Sequence, residues 1–545
     1  MEAAAAHHRP QGLTFTYGTA GFRMKSERLD SVMYAVGVLA ALRSKKLDGR
    51  TIGVMITASH NPAEDNGVKL VDPQGEMLEQ SWEEHATTLA NASDPASLVS
   101  AADALVASAS IDLDKPARVI FARDTRPSGP PLVATLTLAL DAVEVEVSDY
   151  GILTTPQLHY MVRCINTQDT AEPYGEPTKL GYYNKLCTAF HRLVKGSAAA
   201  NISGPIHVDC ANGVGAPRLA EMADVFASVG SPLVFDILKT EVDSAALLNS
   251  ECGADYVKTR QDGPKGIALI PGERYASFDG DADRIVFYYA DPQDKTFRLL
   301  DGDKIAGLAA MYFAELCKAA DIDLNIGVVQ TAYANGSSTS YLRNTLQLPV
   351  SCVCTGVKHL HHEAERYDIG VYFEANGHGT VLFSQQALKA FKTTEAHSPA
   401  HALALEKLQA MADLINQTVG DAFSDLLFVE AILANKQWPL ERWDQDYTDL
   451  PSRLVRVLVE DRSIFRTTMA DTQLVTPAGL QEKIDAEIAK FSAGRAFVRP
   501  SGTEDVVRVY AEAATRAECD TLAWKVGGLV FDLAGGKGDR PSEFL

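Results

Sequence analysis

The stretch TIGVMITASHNPAEDNGVKL, residues 51–70, sets the terms for the whole chain. Its first part, Ile52 to Thr57, is apolar and rich in β-branched residues, which predicts a buried strand. The run then breaks into Ala-Ser-His-Asn-Pro, a polar cluster closed by a proline. Ser59 in that cluster is open to three readings: turn chemistry, a helix N-cap, or a nucleophile or phosphate carrier displayed where a strand ends. Those residues alone leave the three readings open.

Outward from this stretch, strand-like runs alternate with amphipathic ones. Val119 to Ala122, Val143 to Val147, Ile206 to Cys210, Leu233 to Leu238, Ile326 to Thr331 and Ile369 to Phe373 all read as strands. Several pass directly into helical patterns, as in IHVDCANGVGAPRLAEMADVFASVG from residue 206. This alternation predicts α/β units with mixed or parallel sheets. The last hundred residues differ, reading strand, helix, strand, loop, strand, helix, which predicts a smaller α+β domain. Residues 385–440 carry helical patterns without strand signals and are expected to form a connector. No repeat appears at periods of 20 to 50 residues.

At 545 residues the chain calls for several domains. The boundaries expected are 1–190, 191–298, 299–435 and 436–545. The 71 acidic against 50 basic residues give a formal charge of −21, which argues against nucleic acid or an anionic membrane as partner. An anionic ligand would need its binding charges gathered locally. The eight cysteines are scattered without a CxxC pair, so reduced thiols in a cytoplasmic protein are expected. The N-terminal MEAAAAHHRPQG lacks the features of a signal peptide, and His7 and His8 are expected in a frayed tail. No apolar run approaches membrane-spanning length, and no obligate protein partner is evident.

Three further stretches hold clustered chemistry. In YASFDGDADRIVFYY, residues 275–289, Asp279, Asp281 and Asp283 alternate, so an extended backbone would put their carboxylates on one side. Like charges that close repel unless a cation lies among them, and oxygen ligands favour Mg²⁺ or Ca²⁺. A solvated acidic loop is the plain alternative, but apolar runs bury both ends. An EF-hand is excluded, since its sixth position is Arg284 and its twelfth Ala290. A haloacid-dehalogenase-type phosphatase would want its aspartate pair closing a strand near a domain's start.

In VYFEANGHGTVLF, residues 371–383, a strand opens into Glu374, Asn376, Gly377, His378 and Gly379 before another resumes. Glu and Asn suit vicinal hydroxyls, and a hairpin turn is the competing reading. In FVRPSGTEDVVRVYAE, residues 497–512, Arg499, Ser501, Gly502 and Thr503, with Arg508 after them, make a plausible phosphate cradle or a capped turn. No P-loop GxxxxGK(S/T) is present, and ANGVGAPR lacks the third glycine of a dinucleotide fingerprint. KHLHHEAERYD, residues 358–368, is not HExxH; most of it is expected on a helix surface, with Lys358 as a functional candidate.

Together the four stretches resemble the α-D-phosphohexomutase superfamily, whose motifs TASHNP, DGDADR, a glutamate-bearing sugar loop and RPSGTE occur here in the family's order over nearly the whole chain. The opening TYGTAGFR (16–23) and FEANGHGT resemble its eukaryotic branch acting on N-acetylglucosamine phosphate. The resemblance implies an α/β, four-domain architecture: three related mixed α/β domains plus a smaller C-terminal α+β domain around a central cleft.

It further implies that Ser59 carries a phosphoryl group and exchanges it with a phosphosugar through a 1,6-bisphosphate. That reaction interconverts N-acetylglucosamine 6-phosphate and 1-phosphate on the route to UDP-N-acetylglucosamine. Mg²⁺ would be held by Ser59, Asp279, Asp281 and Asp283, with a hexose 1,6-bisphosphate as activator. Phosphoserine and a sugar phosphate each carry close to −2; at about 10 Å and an effective dielectric near 20 they repel by roughly 7 kcal/mol, which a cation must offset.

By the same resemblance Arg499, Ser501, Gly502, Thr503 and Arg508 hold the unreacting phosphate, and Glu374 and Asn376 hold sugar hydroxyls. His60, Lys69, Arg23, Arg284, Lys358 and His378 match basic positions lining the family's cleft; Lys69 is favoured as proton acceptor, Arg23 and Arg284 as electrostatic. Asn376 stands where many hexose-phosphate mutases have Ser, which suggests a pocket altered for the 2-acetamido group. The alternatives are a phosphoglucomutase or phosphomannomutase of the same superfamily, a hydrolase, or a non-catalytic sugar-phosphate sensor.

Overall fold

The computed structural model describes residues 7–501 and 506–545. The chain forms two compact units. One comprises the chain to Asp301 with Asn376–Thr380 and Thr394–Leu440; the other comprises Gly302–Ala375, Val381–Thr393 and Glu441–Leu545.

The first unit holds two five-stranded mixed sheets. In one, Thr51–Ile56 lies between the parallel Arg118–Arg123 and the antiparallel Asp65–Val71, with Glu146–Ile152 and Phe22–Lys25 at the edges. All six residues of Thr51–Ile56 are buried, because helices Asp30–Lys46 and Thr155–Thr167 both pack on this strand. That explains a continuous apolar run in place of strict alternation. Gly53 lets the second helix approach: a Cβ there would lie 2.6 Å from a Val162 methyl. In the other sheet, Arg274–Phe278 lies between the parallel Ile206–Asp209 and the antiparallel Ile285–Ala290. The pairing pattern repeats although the sequence shows no repeat. Both Ser59 and Asp279 follow the carboxyl ends of central strands, where open α/β sheets place ligands.

The expected strand Val143 to Val147 is Glu146–Ile152 instead, since Val143 caps the helix Gly129–Ala142. His7 is not in a frayed tail: its Nδ1 lies 2.7 Å from Asp30 Oδ2 and its ring stacks on Tyr34. The helical stretch 394–440 belongs to the first unit. Helix Pro399–Leu414 packs on Lys179–Leu193, and helix Ala422–Lys436 starts at Asp421, whose carboxylate accepts from Phe423 N, Ser424 N and the Tyr182 hydroxyl. Ala422 N donates to Ala282 O, and Gly420 has room for no Cβ beside Asp283 O and His378. This segment therefore supports the aspartate loop directly.

In the second unit, Ile326–Thr331 pairs in parallel with Val350–Val353 and Ile369–Phe373, and Gly379–Phe383 follows. Its C-terminal part is a three-stranded antiparallel sheet, Ser452–Leu458, Val506–Glu512 and Arg495–Pro500, whose inner face packs on helix Arg516–Leu533. A short hairpin, Arg466–Thr468 with Gln473–Thr476, adds two strands that the sequence pattern did not signal. His361 also departs from expectation: it is buried in helix Val357–Ala364, its Nδ1 3.1 Å from the Tyr372 hydroxyl.

Among the described residues all eight cysteines are free, and no helix is long and apolar enough to cross a membrane.

Candidate active site

Ser59 is fully buried and has φ of +51°, the left-handed region that a non-glycine residue enters only under constraint. Its N–H donates to Thr57 Oγ1, and its Oγ donates to Asp279 Oδ2 at 2.5 Å. Thr57 Oγ1 lies 2.8 Å from Asp124 Oδ2 and 3.2 Å from Asp281 Oδ2. The serine hydroxyl is thus aimed at the aspartate loop.

That loop is a turn, not the extended segment its alternating aspartates suggested. Ala282 N donates to Asp279 O, Ala282 has φ of +58°, and Asp279 Oδ1 accepts from the N–H groups of Asp283 and Arg284. The carboxylates still converge, because Asp279 caps the turn while Asp281 is drawn back to helix Thr155–Thr167. Thr155 Oγ1 donates to Asp281 Oδ2 at 2.6 Å and Thr155 N donates to Asp281 O. Ligand oxygens of Asp279, Asp281 and Asp283 all lie within 4.8 Å of one another, and all three residues are buried. His60, Asp255 and Asp279 meet the same distance criterion but are more exposed and include a nitrogen.

The all-oxygen set fits a hard divalent cation. Asp281 Oδ1 is buried and makes no hydrogen bond, the state expected of an oxygen reserved for a metal. The surrounding basic side chains bear on the same point. Lys69 Nζ lies 3.5 Å from Asp283 and 3.8 Å from Asp281; Arg284 Nε lies 3.8 Å from both Asp279 and Asp283; His378 Nδ1 lies 3.4 Å from Asp283 Oδ1. Burial alone would raise Asp283, but His378, Lys69 and Arg284 hold it well below the usual carboxylate range. Asp279 goes the other way: burial, then the charges of Asp283 and Asp281, push it well above that range.

His60 stands beside Ser59, its Nδ1 3.4 Å from Ser59 Oγ; burial and the Arg284 charge lower its pKa to about 4. Arg23 donates to Asn61 Oδ1 over 3.4 Å, and Arg284 Nη1 donates to Asp255 at 2.8 Å. His378 reaches Asp283 because of Gly377. There φ is +87°, the carbonyl accepts from Ile285 N, and a Cβ would overlap the Ile285 carbonyl oxygen. Asn376 Oδ1 accepts from His378 N and fixes the same turn.

The remaining candidates lie in the second unit. Lys358 is buried in helix Val357–Ala364, and Glu374 follows strand Ile369–Phe373. Arg499 lies directly across from Arg508, and Ser501 N donates to Val506 O. Gly502 and Thr503 lie outside the described residues. Arg456 pairs with Arg508 from the other side, so three arginines stand in one row across three strands. Like charges opposite one another destabilise a sheet, which is consistent with an anion site.

The sequence analysis missed Arg456, and also Asp124, Arg126, Thr155, Asn249 and Asp255. For Asp124 and Arg126 a signal existed: ARDTRPSG, residues 122–129, ends a buried strand on a polar cluster just as TASHNP does.

His159 links the site to pH. It is fully buried in helix Thr155–Thr167 and its Nδ1–H donates to Gly75 O at 2.6 Å; burial, then the Lys69 charge, lower its pKa to about 3. A depressed folded pKa means that the stability is complete above the ordinary value near 6.5 and is lost as pH falls toward 3, at up to about 1.4 kcal/mol per unit. His159→Asn, which keeps the donor to Gly75, is expected to lose less Tm than the parent between pH 7 and pH 5. Parallel losses in scanning calorimetry would exclude this contribution.

Comparison with known proteins places these features. Family models match along the chain: phosphoglucomutase/phosphomannomutase α/β/α domain I at residues 37–97 and 90–171, and phosphoacetylglucosamine mutase AMG1 domain II at 172–286 and domain III at 301–438. The phosphoglucomutase/phosphomannomutase C-terminal domain matches at 454–526. The chain is 51% identical over 540 residues to phosphoacetylglucosamine mutase of Homo sapiens, covering 99% of this chain and 98% of that one.

Among solved structures it is similar to Aspergillus fumigatus N-acetylphosphoglucosamine mutase in complex with GlcNAc-6P and magnesium, with 55% identity, a TM-score of 0.93 and coverage of 97% and 98% of the two chains. A second structure from that organism holds glucose 1,6-bisphosphate; it shows 55% identity, a TM-score of 0.94 and 98% coverage of both chains.

Proposed function

This chain belongs to the phosphoacetylglucosamine mutase family of the α-D-phosphohexomutase superfamily, and from that premise we infer how its own residues perform the reaction. It is an isomerase that interconverts N-acetylglucosamine 6-phosphate and N-acetylglucosamine 1-phosphate, with Mg²⁺ and a hexose 1,6-bisphosphate as cofactors. The observation that carries the assignment of roles is Ser59: a buried hydroxyl at a strand's end, 2.5 Å from one of three converging carboxylates.

In this reading the phosphoryl group rides on Ser59 Oγ. The Oγ–P bond breaks as the free sugar hydroxyl forms a new O–P bond and gives up its proton, producing the 1,6-bisphosphate. That intermediate turns around, its other phosphoryl passes to Ser59 Oγ, and the sugar oxygen left behind takes up the proton released in the first transfer, which regenerates the phosphoenzyme and frees the product. Asp279, Asp281 and Asp283 would hold Mg²⁺, whose positive charge would stabilise the transferring phosphoryl oxygens. Arg23 and Arg284 add fixed positive charge beside it. Arg499, Ser501, Gly502, Thr503 and Arg508 hold the unreacting phosphate, and such anchoring supplies the positioning on which phosphoryl transfer mainly depends. Glu374 and Asn376 hold sugar hydroxyls, and Lys358 and His378 serve as further basic substrate-binding residues. Asn376 in place of Ser supports selection for the 2-acetamido group.

Lys69 would serve as proton acceptor in this scheme as the neutral amine, since the ammonium that offsets Asp281 and Asp283 has no lone pair, and a paired substitution tests the role. Lys69→Met and Lys69→Arg are expected to lose turnover alike, by at least about a hundred-fold, the scale of general-base catalysis. Rescue by arginine, which keeps the charge and accepts no proton, would assign Lys69 to charge balance among the carboxylates.

The decisive experiment is ³¹P NMR of the chain with Mg²⁺, a trace of glucose 1,6-bisphosphate, and N-acetylglucosamine 6-phosphate and glucose 6-phosphate offered together. Faster growth of the acetylated 1-phosphate is expected. Glucose 1-phosphate growing first would overturn the selectivity assigned to Asn376. Steady release of inorganic phosphate would indicate a hydrolase.

A further inference from the structure

The geometry points to Arg126 and Asn249 as positioning residues that hold the Ser59 peptide in the one orientation from which its side chain can exchange a phosphoryl group; this rests on the mutase reading above. Arg126 is completely buried. Its guanidinium has five N–H donors, and all five are engaged. Nε donates to Asp124 Oδ2 at 2.9 Å. Nη1 donates to the carbonyls of Pro62 and Asp65, and Nη2 to those of Ser59 and Asn61, at 2.9 and 2.8 Å. One side chain thus ties down four carbonyls of the serine loop, and Asp124 fixes that side chain in turn.

Asn249 approaches the same loop from a different part of the unit. Its Nδ2 donates to Ser59 O at 2.9 Å and Asn61 O at 3.1 Å, while its own N–H is tied to Ala211 O. Both lone pairs of the Ser59 carbonyl are therefore occupied. Gly280 closes the remaining side, since a Cβ there would lie 2.6 Å from Ser59 O and 2.8 Å from Asn249 Nδ2.

The left-handed conformation of Ser59 explains why such a clamp is needed. A serine relaxes from it readily unless its peptide is held, and relaxation would swing Oγ away from Asp279. Between them the two side chains direct these hydrogen bonds to the serine loop and to Asp124. They act through the serine, by fixing where the phosphoryl group is presented, and a displacement of about 1 Å there costs on the order of a hundred-fold in rate.

Asn249 allows a clean test because it is only partly buried and its own φ of +56° suits glycine. Asn249→Gly removes the two hydrogen bonds and keeps the backbone. Turnover and the single-turnover rate of Ser59 phosphorylation from glucose 1,6-bisphosphate should both fall about ten- to thirty-fold. KM for the phosphosugar should stay within about two-fold, and Tm within about 2 °C. Arg126→Lys, which retains a cation beside Asp124, should show the same split of kcat from KM. An Asn249→Gly protein with parental kcat, or one in which KM and Tm move with kcat, would overturn the assignment. Absence of interconversion by the parent chain would instead bring down the mutase reading and this inference with it.

Discussion

Ser59→Ala is expected to abolish turnover, by at least about a thousand-fold, because no other group takes over once a covalent carrier is lost. The fold should survive. The lost hydroxyl makes a short hydrogen bond to Asp279, whose other oxygen still accepts from two N–H groups, and a long contact of 3.4 Å to His60 Nδ1, so the cost is about 1–2 kcal/mol and a few degrees of Tm. Incubation with glucose 1,6-bisphosphate followed by intact-mass measurement should show one added phosphoryl group on the parent and none on the variant. Near-normal turnover in the variant would refute the phosphoserine mechanism. Binding of the bisphosphate by the parent without any exchange would point to a sugar-phosphate sensor.

The second large effect concerns Asp281, where stability and activity should move in opposite directions. Ionised together, three buried carboxylates within 4.8 Å would repel by about 3 kcal/mol per pair at an effective dielectric of 20; this adds to the burial that pushes Asp279 toward its neutral form, and Lys69 and Arg284 offset only part of it. Asp281→Asn removes one of the charges. It also keeps an oxygen to accept from Thr155 and turns the unsatisfied Oδ1 into an N–H₂ that can donate to a neighbouring carboxylate. In EDTA the variant should therefore melt several degrees above the parent. Mg²⁺ should raise the Tm of the parent and leave the variant unmoved, and turnover in saturating Mg²⁺ should fall at least about a thousand-fold. A variant that is less stable in EDTA and still gains Tm with Mg²⁺ would show that the cation binds elsewhere, with the His60, Asp255 and Asp279 group as the next candidate.

Much of this site could be read from local sequence because its parts sit where strands end. Thr51–Ile56 and Arg274–Phe278 are central and almost wholly buried, and the polar cluster after each marks the sheet's carboxyl edge. The order of the four motifs then carried the resemblance to the superfamily. Where reading failed, a longer-range contact had won. The aspartates do not converge through strand alternation, since Asp279 caps its own turn and Thr155 holds Asp281. His361 pattern-matches to a helix surface, but the Tyr372 hydroxyl gives its ring a buried partner.

The sequence by itself determined the α/β class, the serine proposed as phosphoryl carrier, the acidic loop and the family, because each lies in a contiguous run whose polarity changes within a few residues. Only the tertiary structure decided how those runs work together. It set the left-handed turn at Ser59, the clamp of Arg126 and Asn249 upon it, and the support that residues 420–422 give the aspartate loop. It also lined up Arg456, Arg499 and Arg508 across three strands. Most of these contacts join residues tens to hundreds of positions apart, and they arise from sheet register and helix packing. No local pattern of polarity encodes them.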